Sequence, residues 1–140
     1  MSNDHLMTIL GLSDDTTDAL INQAALLYSD GQFEKMRKVL SGAVALNPRD
    51  PRPHTLIGSS FFIEGRDREA EAAYQRAYDC DASDPYTLVA LGELKLRALE
   101  LEAAVKVFEE LFALPDIQEH PAAARGRELI HSYYQKLRGD

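Results

Sequence analysis

The chain has 140 residues, 45% of them apolar and 27% charged, with a formal net charge of −8. That composition describes a globular chain, long enough to bury roughly two-thirds of its unfolded surface in a single domain. The acidic balance argues against nucleic acid or an anionic membrane as a partner, because both demand a basic face. No apolar run is long enough to span a bilayer. The N-terminal stretch SNDHLMTILGL has no Lys or Arg before its apolar residues, so it reads as a poor signal peptide. Cys80 is the only cysteine, which excludes an internal disulfide and fits a reducing, cytoplasmic setting.

Taken in chain order, residues 1–16 form an N-terminal segment whose apolar residues are Leu6, Met7, Ile9, Leu10 and Leu12. It either folds back on the first helical unit or pairs with a second chain as a homodimer contact. Residues 13–17, Ser-Asp-Asp-Thr-Thr, read as a loop that caps the next helix. From there the sequence repeats. Ala24, Gly58, Gly92 and Gly126 are each 34 residues apart, as are Leu40, Tyr74 and Phe108, and Met36, Ala70 and Ala104. The frames are 17–50, 51–84 and 85–118, and 119–140 carries one closing helix. Within each frame apolar residues recur at intervals of three and four, which is the helical period. Each frame therefore predicts two helices of about 14 residues joined by a tight turn, with no strand.

The punctuation supports this division. Asp50-Pro51 and Asp84-Pro85 place a capping side chain before a proline, and His120-Pro121 opens the last helix in the same way. Gly31 and Gly65 stand where a helix end favours a left-handed residue. In the third frame that position holds Leu99, where a left-handed backbone costs roughly 1–2 kcal/mol, so a differently built turn is expected. The expected architecture is all-α, an α-solenoid whose units bury their apolar faces only by stacking. The closing helix carries Ala122, Ala123 and Gly126 for packing and Arg125, Arg127, Lys136 and Arg138 for water, the pattern of a solubilising cap.

A 34-residue helix-turn-helix unit with a small residue at position 8, Ala at 20, an aromatic at 24 and Ala at 27 resembles the tetratricopeptide repeat. The second unit carries most of the pattern, through Ile57-Gly58, Phe61, Gly65, Ala70, Tyr74 and Ala77. The third departs from it at Lys95 and Leu99. A narrower resemblance, of layout rather than of a diagnostic motif, is to the class II chaperones of bacterial type III secretion. Those proteins hold hydrophobic translocator subunits in the bacterial cytoplasm before export. The alternative is a generic adaptor of the same fold, or a self-assembling scaffold subunit of a bacterial complex.

The resemblance implies that the first helices of successive units line a concave groove. Its positions hold Ile21, Ala25 and Tyr28, then Thr55, Ser59 and Phe62, then Val89, Glu93 and Leu96, and finally Arg127 and Ile130. An extended or helical apolar segment of a partner protein is the implied ligand. Leu27-Tyr28 and Phe61-Phe62 are adjacent pairs, and adjacent residues on a helix cannot face the same way, which supports a second apolar face. The competing reading is that all of these residues are core; Tyr74, Phe108, Phe61 and Leu27 are expected to be. One subtype of the fold grips a partner's C-terminal carboxylate with Lys and Asn. Here the matching positions are Ile21, Ala25, Thr55 and Ser59, so that chemistry is missing.

No enzymatic activity is expected. His5, His54, His120 and His131 lack metal-ligand spacing, and no phosphate-binding or nucleophile-elbow motif occurs. Cys80 occupies a repeat position shared with Leu46 and Leu114 and reads as a small buried hydrophobe. No catalytic residue, cofactor or metal is implied.

Overall fold

A computed structural model describes residues 14–139, so the apolar cluster Leu6–Leu12 and its dimer-contact role lie outside the described residues. Every regular element among the described residues is helical. The chain divides into two compact units, Met1–Asp81 and Ala82–Asp140, where length alone predicts one domain. Such a division suits a repeat array, in which each helical pair contacts only its neighbours.

The first unit contains α1 (Asp14–Ser29), α2 (Phe33–Leu46), α3 (Arg52–Ile63) and α4 (Asp67–Cys80). Two antiparallel hairpins, α1 with α2 and α3 with α4, meet through α3, which packs on both α1 and α2. Helix α1 starts at Asp14, about a turn earlier than a loop over 13–17 would allow, and Thr17 is fully buried inside it. Ile21, Ala24, Met36 and Leu40 form the centre of the first hairpin, with Leu27, Val39, Leu56 and Ile57 packed around it.

Small residues set the hairpin spacing. Gly58 of α3 lies against the ring of Tyr74 on α4, and that ring is 2% exposed. Asp50 fixes the entry to α3: its carboxylate accepts hydrogen bonds from the Arg52 backbone N–H (3.0 Å) and from Arg52 Nη2 (2.6 Å). The same guanidinium reaches back to Asp18 on α1 at 2.7 Å, joining the two hairpins. Burial raises the Asp50 pKa, but the hydrogen bonds and charge of Arg52 outweigh it and leave the carboxyl below its ordinary value.

The second unit contains α5 (Pro85–Arg97), α6 (Leu101–Phe112), a 3-10 turn (Ile117–Glu119) and α7 (Pro121–Arg138). Helix α5 packs on both α6 and α7. Gly92 of α5 lies against Phe108 of α6, the same pairing as Gly58 with Tyr74 one period earlier. Both caps expected here are present. Asp84 accepts from the Thr87 N–H (3.1 Å) and hydroxyl (2.6 Å), and His120 Nδ1 accepts from the Ala122 N–H at 3.0 Å.

The turn at Leu99 corrects the expectation for that position. Gly31, Gly65 and Leu99 all adopt positive φ, at 73°, 74° and 61°. The closing hydrogen bonds match as well: Gln32 N–H to Leu27 O (2.9 Å), Arg66 N–H to Phe61 O (2.8 Å) and Glu100 N–H to Lys95 O (2.9 Å). The backbone geometry of the hairpin overrides the preference of the residue. Leu99 bears the strain.

Candidate functional site

The groove positions of the first unit come from α1 and α3. Ile21 is 9% exposed and belongs to the hairpin core, whereas Ala25, on the next turn, is exposed. Tyr28 is half-buried; it leans on the same core and meets Phe33 edge-on, with ring centroids 5.6 Å apart. Thr55, Ser59 and Phe62 are half-buried along α3. The Thr55 hydroxyl donates to the Pro51 carbonyl (3.1 Å), and Ser59 shares a 3.1 Å hydrogen bond with the Tyr74 hydroxyl. This set of α1 and α3 positions thus combines two partly exposed aromatics with small, internally bonded polar groups. It can bury apolar surface without stranding a charge.

Of the residues expected to be core, Tyr74 and Phe108 are. Phe61 is not simply buried: it is half-buried, and the guanidinium groups of Arg37 (4.4 Å) and Arg66 (4.6 Å) both lie over its ring. Arg37 in turn binds Glu64 at 2.6 Å and the Ser60 hydroxyl at 2.9 Å, which closes the end of the α3–α4 hairpin with charge. Leu27 is half-buried against the hairpin core.

In the second unit the groove positions separate. Val89 and Leu96 are buried at 8% and 6% exposure. Glu93 accepts from Arg125 Nη2 on α7 at 3.0 Å. Arg127 is exposed and donates to the Gln118 carbonyl at 3.3 Å, and Ile130 is exposed. Leu96 and Ile130 come together with residues outside the expected set. They line an apolar cleft of about 380 Å³ with Leu101, Val105, Tyr134 and Leu137 of α6 and α7. The repeat itself carries a signal for this cleft, since Leu101 and Val105 fall one period after Asp67 and Glu71.

The titratable groups take structural roles. Cys80 is half-buried and its thiol donates to the Pro48 carbonyl at 3.3 Å; burial, then the carboxylates of Asp50, Asp79 and Asp81, raise its pKa. A raised thiol is a poor nucleophile. Burial, followed by the charge of Arg76, lowers the His54 pKa against an opposing pull from Asp50. Among the described residues no group of three or more His, Cys, Asp or Glu is placed to hold a metal ion. Among them too, no helix is long and apolar enough to cross a membrane.

No family model matches the sequence. The first repeat domain of Spaghetti (RPAP3), a tetratricopeptide domain solved with a peptide of HSP90, superposes with a TM-score of 0.70 at 16% identity, over 87% of this chain and 96% of that one. The fold is that of the tetratricopeptide repeat. The type III secretion chaperone SycD of Yersinia enterocolitica, solved with a peptide of the translocator YopD, gives a TM-score of 0.73 at 21% identity, over 89% of this chain and 96% of SycD. At such identities the likeness is one of fold. A curated relative, cellulose synthase operon protein C of Xanthomonas axonopodis pv. citri, is 30% identical over 122 residues. That match takes in 84% of this chain but only 7% of the relative's length.

Proposed function

We propose that this chain is a peptide-capturing repeat module that holds an apolar segment of a partner protein, in the manner of a cytoplasmic chaperone for type III secretion translocators. The observation that carries it is that Tyr28 and Phe62, one period apart on α1 and α3, are both half-buried aromatics in the fold SycD shares. Their neighbours Ala25, Thr55 and Ser59 are small, so an incoming side chain meets apolar rings beside hydroxyls whose hydrogen bonds are already made. No Lys or Asn stands at Ile21, Ala25, Thr55 or Ser59 to grip a terminal carboxylate, which favours an internal apolar segment as ligand. Transient, protein-bound storage of such a segment needs no catalytic group. In this reading the chain is not an enzyme, and a homodimer through the N-terminal segment is its resting form.

Coexpression with a translocator subunit tests the reading. The subunit should remain soluble and copurify with the chain. Tyr28→Asp with Phe62→Asp should abolish that capture while leaving the far-UV circular dichroism spectrum unchanged. Loss of helicity in the same variant would make the two rings core and remove the groove. A second reading, an adaptor within a larger bacterial assembly, is favoured by the match to cellulose synthase operon protein C. It predicts that no translocator subunit is retained by the unaltered chain.

A further inference from the structure

Five of the nine large apolar side chains exposed among the described residues lie on α6 and α7: Leu101, Val105, Ile130, Tyr134 and Leu137. All five line the one cleft, above a floor of Leu96, Ala104 and Phe108. Val105, Tyr134 and Leu137 are 55%, 57% and 62% exposed, so the cleft walls have most of their apolar surface still to bury. This is a built feature of the third unit. The equivalents of Leu101 and Val105 one period earlier are Asp67 and Glu71, and the 18 residues of α7 outrun the 12 of α3 and the 13 of α5, the added turn supplying Leu137.

Along the α7 edge of the cleft the charge is opposite to that of the chain. From Leu129 to Arg138, α7 carries Lys136 and Arg138 and no Asp or Glu, in a protein of net charge −8. Lys136 Nζ stands 5.0 Å from the Tyr133 ring centre and the Arg138 guanidinium 5.6 Å from that of Tyr134, so both cations edge the apolar walls. Arg127 extends that edge beside Ile130. The α6 side is mixed, with Glu102 and Lys106 beside Leu101 and Val105, and Glu109 lines the cleft itself.

We propose that the α6–α7 cleft docks an amphipathic helix of a partner protein, with apolar residues at i, i+3, i+4 and i+7 and with Asp or Glu along the edge that meets α7. This surface takes in Leu96 and Ile130 of the expected groove set, lies on other helices than the α1–α3 face, and adds a second contact to the proposed capture. A second copy of this chain suits the cleft less well, because a two-fold contact between α7 helices centred near Leu137 sets Lys136 and Arg138 of one copy against those of the other. The acidic edge of a partner helix instead meets cations whose neighbouring apolar walls become desolvated on docking, where charge pairs strengthen.

Two fluorescein-labelled 18-residue model helices test this, sharing a leucine face and differing only in Glu or Lys along one edge. Fluorescence anisotropy against the full chain should show saturable binding of the Glu helix, at least tenfold tighter than the Lys helix. Val105→Asp or Leu137→Asp should weaken it at least tenfold with helicity unchanged, since both side chains face solvent. Lys136→Glu with Arg138→Glu should reverse the preference, and Tyr28→Asp should leave it intact. Equal binding of the two helices overturns the charge assignment. Binding that survives Val105→Asp and Leu137→Asp but fails with Tyr28→Asp places the helix on α1 and α3 and overturns the site. A dimer in light scattering that Val105→Asp returns to monomer assigns the cleft to a second copy and overturns the choice of occupant.

Discussion

Replacing Gly58 with alanine should destabilise the protein, although alanine is the better helix former. In an open mid-helix site the exchange stabilises by about 0.5–1 kcal/mol, because glycine loses more backbone freedom on folding. Gly58 is not such a site. A Cβ there falls on the side of the Tyr74 ring, inside van der Waals contact with Cδ1 and Cε1 and 3.1 Å from Cγ. The ring is 2% exposed and its hydroxyl is held by Ser59 at 3.1 Å, so it is restrained at both ends. Forcing an extra carbon into such a core costs about 1–3 kcal/mol. The collision outweighs the propensity gain over most of that range, for a net loss of up to about 2.5 kcal/mol. Gly92→Ala should behave alike, since its Cβ would stand 2.6 Å from Phe108 Cζ.

Gly42 supplies the internal contrast. Its only neighbour within reach of an added Cβ is Leu20 Cδ1 at 4.0 Å, so Gly42→Ala should stabilise by about 0.5–1 kcal/mol. Urea unfolding followed by far-UV circular dichroism measures all three variants in one experiment. Gly58→Ala and Gly92→Ala should lower the midpoint while Gly42→Ala raises it. If Gly58→Ala is as stable as the unaltered chain, the Tyr74 ring is free to move. The glycine–aromatic pairing then does not set the hairpin spacing.

Leu99→Gly should stabilise by up to about 1 kcal/mol in the same assay. It relieves a left-handed cost of roughly 1–2 kcal/mol, is offset by about 0.5–1 kcal/mol of unfolded-chain entropy, and forfeits little burial from a side chain 68% exposed. Arg52→Ala leaves the buried Asp50 carboxylate without its guanidinium and cuts the link to Asp18, and should cost about 1–3 kcal/mol in thermal unfolding. His54 has a folded pKa below its ordinary 6.5, so the unfolded chain takes up the proton first. Stability is therefore fully present above that value and falls as pH drops below it toward the folded pKa. His54→Asn should remove this part of the acid sensitivity in melting curves taken across that window. The lowered Asp50 pKa acts further down, where stability is lost as pH falls below 3.8.

The helical hairpins are legible in the sequence because each one sets a small residue (Ala24, Gly58, Gly92) with a large one (Leu40, Tyr74, Phe108), and that pair returns with the repeat. The Gly58–Tyr74 and Gly92–Phe108 contacts are the physical content of the 34-residue period. Leu99 departs from expectation for the opposite reason. Residue preference is a local energy of a kcal/mol or so, whereas the turn is dictated by the two helices that flank it. The site is legible only in part, because a position in the frame specifies a direction around a helix and not what the next helix covers. Phe62 and Leu96 share one frame position, yet Phe62 is half-buried and Leu96 is buried in the unit where α7 packs on α5. The α6–α7 cleft lies only partly within the concave-face pattern: Leu96 and Ile130 belong to it, but Leu101 and Val105 come from α6, a second helix of its unit that the pattern does not include. Its trace in the sequence is the exchange of Asp67 and Glu71 for Leu101 and Val105.

The central claim, that the face carrying Tyr28 and Phe62 captures an apolar segment, is tested most directly by isothermal titration with a synthetic peptide from a translocator subunit. The account predicts saturable one-to-one binding with a negative heat-capacity change, the mark of apolar burial. It further predicts affinity at least tenfold weaker in the Tyr28→Ala, Phe62→Ala double variant, whose helicity stays the same. Binding of unchanged strength in that variant, or no binding by the unaltered chain, would contradict it.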